Sequence, residues 1–220
     1  MCDSNRDLFH GERLQLLDQV SPPIQVVRGY VRDEQTTLEI SKKFMTVTDE
    51  TSVVMDGDGK PVVTVKGPAF WMNHFKTIYD GSGTIPLFKM RNKKASLQRL
   101  FICEDEQGTE LFRIQRKFKW LHVILHAIIP SPDGEGETTL ELADKARFGF
   151  SAEIREVGSG AVVATLAHSF WKKDLVLKNK EAYVVNVAAG VDLSVIAALC
   201  FAWDQAKEDD RHASSPGGGH

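Results

Sequence analysis

The chain is poor in cysteine, with only Cys2, Cys103 and Cys200 among 220 residues. The count is odd and no two lie at metal-ligand spacing. That argues against a disulfide framework and a thiolate zinc site, and points to a reducing compartment. Cys103 and Cys200 sit in apolar sequence, where a free thiol behaves as a small hydrophobe. No segment reaches the ~18–20 consecutive apolar residues of a membrane-spanning helix. The nearest approach, Val191–Trp203, is interrupted by Asp192 and Ser194. The first ten residues carry no apolar run, so no secretory signal is expected, and they lack the glycine needed for myristoylation. Neither sign of charge dominates: the formal net charge is -3. Nucleic acid is therefore not an expected partner, and attraction to an anionic surface has to come from a local patch.

Signatures of catalysis are missing too. There is no G-x-S-x-G elbow and no glycine-rich loop ending in Gly-Lys-Ser/Thr. The glycines near Asp56 belong to a turn and do not open a helix, which excludes a dinucleotide site. Glu208-Asp209-Asp210 lies in the expected tail, where carboxylates cannot be held in catalytic geometry. These absences lead to the expectation of a protein that is not an enzyme and carries no cofactor.

A repeat of turns is present. Asp56-Gly-Asp-Gly59, Asp80-Gly-Ser-Gly83 and Asp105-Glu-Gln-Gly108 each precede a strand-like segment, as does Val157-Gly-Ser-Gly160. The final glycines of the first three are 24 and 25 residues apart. A tight hairpin needs positive φ, which glycine adopts freely and aspartate tolerates. Between the turns the pattern alternates: Phe88 and Met90, followed by Leu97, oppose Lys89 and Arg91. Further strands are expected at Ile24–Tyr30, Thr37–Ser41, Phe44–Thr48, Ser52–Met55, Trp120–Ile129, Arg147–Glu156, Leu175–Leu177 and Tyr183–Ala188. Pro130-Ser-Pro-Asp-Gly-Glu-Gly-Glu137 is a loop.

After Tyr183–Asp192 comes Leu193–Trp203, apolar on nearly every side. Such a helix must be buried. The economical fold is mainly β: a single closed antiparallel β-barrel of about twelve strands around a buried C-terminal α-helix spanning Asp192–Asp204. Closure removes exposed edges, and the helix fills the interior. The expected organisation is an N-terminal extension over residues 1–21, the barrel domain over 22–205 and a disordered tail over 206–220.

These features resemble the LURP-one-related family, grouped with the tubby C-terminal-like and phospholipid scramblase-like folds. The resemblance rests on Asp80-Gly-Ser-Gly83, Leu111-Phe-Arg-Ile-Gln-Arg-Lys117, Phe170-Trp-Lys-Lys173 and Tyr183–Asp192, and covers roughly residues 22 to 205. It implies a twelve-stranded barrel around a buried helix. It links the chain to stress or defence responses, to phosphoinositide binding as in tubby-like relatives, and to lipid movement as in scramblases. The chain departs from scramblases in lacking a cysteine-rich acylation stretch and an acidic calcium loop before the last helix.

Between Thr84 and Lys119 there are nine basic and four acidic residues, an excess of five positive charges in an acidic chain. Lys89, Arg91, Lys93, Lys94, Arg113, Arg116 and Lys117 are the candidate anion-binding residues, with Lys172 and Lys173 as contributors. Strand pairing is expected to bring Lys89 and Arg91 near Arg113 or Lys117. Such a cluster holds phosphate by charge-assisted hydrogen bonds. A solvated face that keeps the barrel soluble explains the same residues. Asp56-Gly-Asp-Gly59 opens like a calcium loop, but lacks the later ligands and flanking helices, and reads as a hairpin turn. His122 and His126 share a strand face without the further ligands that zinc needs. Asp192 is placed to cap the helix. Trp71, Trp120, Trp171 and Trp203 read as core or rim residues.

The leading expectation is a monomeric, non-enzymatic intracellular binding protein for acidic phospholipid headgroups, cytoplasmic and peripheral at the plasma membrane. A protein-interaction scaffold with an unknown protein partner is the alternative. Scramblase-like activity is a third reading, and it requires the helix to leave the barrel.

Overall fold

The computed structural model describes residues 16–43, 49–68, 75–93, 100–119, 122–131, 134–144, 151–168 and 183–214. Within them the chain forms β1 (Thr36–Lys43), β2 (Asp49–Asp56), β3 (Pro61–Pro68), β4 (Phe75–Asp80), β5 (Pro86–Lys93) and β6 (Leu100–Glu104). There follow β7 (Glu110–Lys119), β8 (His122–Pro130), β9 (Glu137–Asp144), β10 (Ser151–Glu156), β11 (Val162–His168), β12 (Tyr183–Val187) and α1 (Leu193–Ser214). Each strand pairs antiparallel with its neighbours in the chain, and β1 closes on β12, so the sheet is a closed barrel in simple meander order. The expected strands Phe44–Thr48 and Leu175–Leu177 lie outside the described residues, as does Leu97.

The repeated turns are built alike, and the carboxylate explains why. In the first, Asp56 Oδ1 accepts from the backbone N–H groups of Asp58 and Lys60 at 3.1 and 2.9 Å. Asp80 Oδ1 accepts from Thr84 and Ile85, each at 3.0 Å. Asp105 Oδ1 accepts from Gln107 and Thr109 at 2.9 and 2.8 Å. Glu156 takes the same part for Gly158 and Ser159. Each carboxylate thus satisfies donors that a tight reversal leaves without a strand partner. Gly59, Gly83, Gly108 and Gly160 all sit at positive φ in these turns.

Alternation then sorts the side chains. Phe88 and Met90, Phe101 and Cys103, and Phe112 and Ile114 point inward from β5, β6 and β7, all essentially without exposure. Phe88 and Phe112 meet edge to face, with ring centroids 5.3 Å apart. In α1 every residue from Leu193 to Ala202 is buried, as the all-round apolar sequence requires.

One end of the barrel is bound to an N-terminal strap. Val20 and Ile24 donate to the carbonyls of Ala189 and Gly190 at 2.9 and 2.8 Å. Asp192 and Leu193 donate back to Ile24 and Tyr30, both at 3.0 Å. The expected strand Ile24–Tyr30 does not form, and only Ile24 makes a bridge, parallel to Val191. The reason is that Val26 and Val27 give their N–H groups to the Asp192 carboxylate at 2.9 and 2.7 Å, not to a strand.

The helix also differs from expectation. It runs ten residues past Asp204, through residues expected to be disordered, to Ser214. Nothing from Gln205 to Ala213 breaks a helix, Ala206 is fully buried, and the Lys207 ammonium lies 3.7 Å from the Trp203 ring centroid. No helix among the described residues is long and apolar enough to cross a membrane.

Candidate functional site

On β5 the inward parity belongs to Phe88 and Met90, so Lys89, Arg91 and Lys93 project from the outer wall. On β7 the inward parity belongs to Phe112 and Ile114, so Arg113, Gln115 and Lys117 project outward. The two cationic strands do not touch, because β6 lies between them. Arg91 is opposite Ile102, and Ile102 is opposite Arg113. At ~4.8 Å per strand, Arg91 and Arg113 stand about 10 Å apart at their backbones. The proximity expected from the sequence is thus replaced by a row of alternating character: Phe75, Arg91, Ile102, Arg113 and Ile128.

Glutamates brace both arginines. Arg91 donates to Glu104 through Nη2 at 2.9 Å and Nε at 3.4 Å, and the hydrogen-bonded carboxylate holds its guanidinium yet more firmly protonated. Arg113 pairs with Glu110 at 3.1 Å and with Glu137 of β9 at 3.3 Å. The second pair reaches across β8, from Arg113 opposite Ile128 to Glu137 opposite Pro130. Ile128 is itself an outward isoleucine only 8% exposed that stands apart from the central core. Lys117 donates to Gln115 at 3.2 Å. Lys89 and Lys93 make no ion pair among the described residues. The Lys89 ammonium is 5.7 Å from the ring centroid of Phe75, whose side chain is half exposed.

Arg116 does not belong to this face. It shares the parity of Phe112 and Ile114, and its Nη2 donates to both carboxylate oxygens of Asp210 on α1, at 2.6 and 2.8 Å. A cation read as part of an outer anion site is instead a brace between the barrel wall and the end of the helix. Lys94, Lys172 and Lys173 lie outside the described residues, as do Trp71, Trp120 and Trp171.

Two residues escaped the sequence reading. Phe75 is the aromatic member of the outer face, and its signal was the alternation of Phe75, Thr77 and Tyr79 against Ile78. Asp210 was hidden in an acidic run that resembles a tail.

The remaining candidates resolve into structure. Asp56 holds its turn, as described above. His126 is on the outer wall, with Nε2 2.9 Å from Glu141 Oε2. No group of three or more histidine, cysteine or acidic residues among the described residues is arranged to hold a metal ion. Asp192 caps the helix through Ser194, whose N–H and hydroxyl donate to Oδ1 at 2.9 and 2.6 Å, and it also holds the strap through Oδ2. Trp203 is buried edge-on to Tyr183, with centroids 6.3 Å apart. Burial pushes the Tyr183 phenol and the Cys200 thiol well up, with the Asp204 charge adding to both.

Residues 36–204 match the model of a family described as LURP-one-related. The chain is 23% identical over 179 residues to Protein LURP-one-related 15 of Arabidopsis thaliana, spanning 80% of this chain and 82% of that protein. It is also similar to an X-ray structure of a protein from Arabidopsis thaliana, with a TM-score of 0.55 at 19% identity, covering 83% of this chain and 98% of the other. That likeness carries the fold. The family match begins after the strap and ends before the part of α1 that bears Asp210.

Proposed function

The chain belongs to the LURP-one-related family, and from that premise we propose that it is a non-enzymatic binding barrel whose outer β4–β7 face engages acidic phospholipid headgroups. It would act in the cytoplasm, peripherally at the plasma membrane, and on the family resemblance its pathway would be a stress or defence response. The observation that carries the reading is the file of outward cations on β5, Lys89, Arg91 and Lys93, flanked by Arg113 and Lys117 two strands away. Near an anionic bilayer each lysine of this face, having no ion pair among the described residues, would contribute about 1 kcal/mol.

The test is co-sedimentation of the full chain with vesicles carrying phosphatidylinositol phosphates, against neutral vesicles, at low and high salt. Binding should need the acidic lipid. It should also fall as the Debye length shrinks below the ~8 Å of physiological salt. Replacing Lys89 and Lys93 together with glutamate should weaken binding and leave the thermal melt unchanged. Absence of binding to any acidic vesicle refutes the proposal.

A scaffold reading has its own support. Ile102 between two glutamate-braced arginines is the mixed apolar and charged texture that protein interfaces use. Binding of a protein partner that survives high salt would favour it. Lipid movement by an emerging helix is not favoured. Exposing Leu193, Val195, Ile196, Leu199, Phe201 and Trp203 at ~1.5–3 kcal/mol each costs about 9–18 kcal/mol. That is as much as the whole stability of an ordinary domain, about 5–15 kcal/mol.

A further inference from the structure

We infer that the β4–β7 face reads the charge density of an anionic bilayer and does not select a particular headgroup, with Phe75 as its inserting side chain. This inference rests on the lipid-binding reading above. Recognition of one phosphorylated headgroup needs donors that converge on it, and bidentate arginine is the usual means. Both arginines of this face are committed elsewhere, Arg91 to Glu104 and Arg113 to Glu110 and Glu137. The cations of this face left without an ion pair among the described residues, Lys89, Lys93 and Lys117, are lysines, which act as point charges on flexible stems. Lys89 and Lys93 are four residues apart on β5, about 13 Å along it at ~3.3 Å per residue, so holding one phosphate between them would need both flexible stems to lean together over Arg91. Side chains on the outside of a closed barrel also splay apart. A row of separated point charges on a convex wall matches a planar field of many anions better than one ligand.

Phe75 supplies the second half of the argument. It heads the row that continues through Arg91, and the residue is 49% exposed with the Lys89 ammonium beside its ring. An aromatic side chain next to a cation is suited to the bilayer interface, where the ring enters the headgroup region while the ammonium stays with the phosphates.

The experiment uses the full chain and two sets of vesicles matched in surface charge, one with phosphatidylserine and one with a phosphatidylinositol phosphate. Inositol hexakisphosphate serves as soluble competitor against sodium sulfate of equal ionic strength. Equal binding to both vesicles, and no displacement by the competitor beyond the sulfate control, is the expected result. Lys89→Gln and Lys93→Gln should each cost about fivefold in partitioning. In a Phe75→Trp variant, the emission gained over the parent should shift to the blue on phosphatidylserine vesicles. Binding confined to the phosphatidylinositol phosphate vesicles and reversed by the soluble competitor overturns the inference while leaving the lipid-binding reading intact. Charge-dependent binding with no blue shift in the Phe75→Trp variant overturns the assignment of the inserting face. Failure to bind either vesicle overturns both readings.

Discussion

Replacing Asp192 with asparagine separates a simple helix cap from a buried junction. As an N-cap alone, asparagine is about as good as aspartate, and the change should cost a few tenths of a kcal/mol at most. The structure gives Asp192 more to do. Its side chain is fully buried, with Oδ1 serving Ser194 and Oδ2 serving the backbone N–H groups of Val26 and Val27. Asparagine offers one acceptor oxygen. If that oxygen stays with Ser194, the new NH2 group faces two N–H donors of the strap, and if it turns to the strap, the Ser194 N–H loses its partner. An unsatisfied buried donor costs about 1–3 kcal/mol. The loss should therefore be about 2–4 kcal/mol, and for a chain of this size ~1 kcal/mol lowers Tm by about 2–4 °C. Urea unfolding followed by tryptophan fluorescence measures it. Limited proteolysis should show cleavage within residues 16–32 before the barrel is cut. An Asp192→Asn protein within about 0.5 kcal/mol of the parent would refute the junction, because a cap alone would then explain the residue.

Gly190 has φ +85, and a Cβ there would collide with the Val20 carbonyl oxygen. Gly190→Ala should therefore destabilise well beyond Gly59→Ala, where φ is +78 with open space around it and only the left-handed penalty of about 1–2 kcal/mol applies; parallel urea curves make the comparison. Cys103 and Cys200 are buried, with thiols pushed well up chiefly by desolvation, so neither should react with a disulfide reagent in the native protein. Rapid labelling of either thiol would show the core opening far more readily than this packing allows. Acid should destabilise through the turns. The Asp80 carboxyl is held below 3.8 by hydrogen bonds from Ile85 and Ser82, and that of Glu156 below 4.5 by Ser159. A depressed carboxyl contributes stability that is fully present above its ordinary value and lost as pH falls through the folded one. Asp80→Asn should flatten the acid limb of a Tm-against-pH profile, and an unchanged limb would contradict the role given to the turn.

Much of this architecture is legible in the chain because it is local. Three of the turns announce themselves by an acidic residue followed at three by a glycine, the fourth by Glu156 followed at four by Gly160, and both parts act within five residues. The helix announces itself because no side of it is polar until Asp204. What misleads is long-range. Ile24–Tyr30 has the composition of a strand, yet its N–H groups are claimed by a carboxylate about 165 residues away in the chain. Glu208-Asp209-Asp210 has the composition of a tail, yet Asp210 meets an arginine 94 residues earlier. Arg116 is the instructive case. Charge alone grouped it with Arg113 and Lys117, while its parity with Phe112 and Ile114 already placed it inside. Alternation was the stronger signal there, because a strand side chain has only two faces to choose from.

Closure and filling together set where this barrel can act. A barrel with an empty lumen can hold a ligand, and an open sheet can accept an added strand. Here α1 occupies the lumen with side chains buried from Leu193 to Ala202, and the pairing of β1 with β12 leaves no free edge among the described strands. That leaves side chains on the outer wall and at the ends as the surface the proposed binding would use. On the β4–β7 wall the arginines are paired in place with Glu104, Glu110 and Glu137, which blunts any tight grip on a single anion. The lysines make no ion pair among the described residues, so in the proposed membrane role affinity on this wall would come from the number of anions presented at once. That is a property of a surface, and it would make the proposed binding steep in charge density and salt.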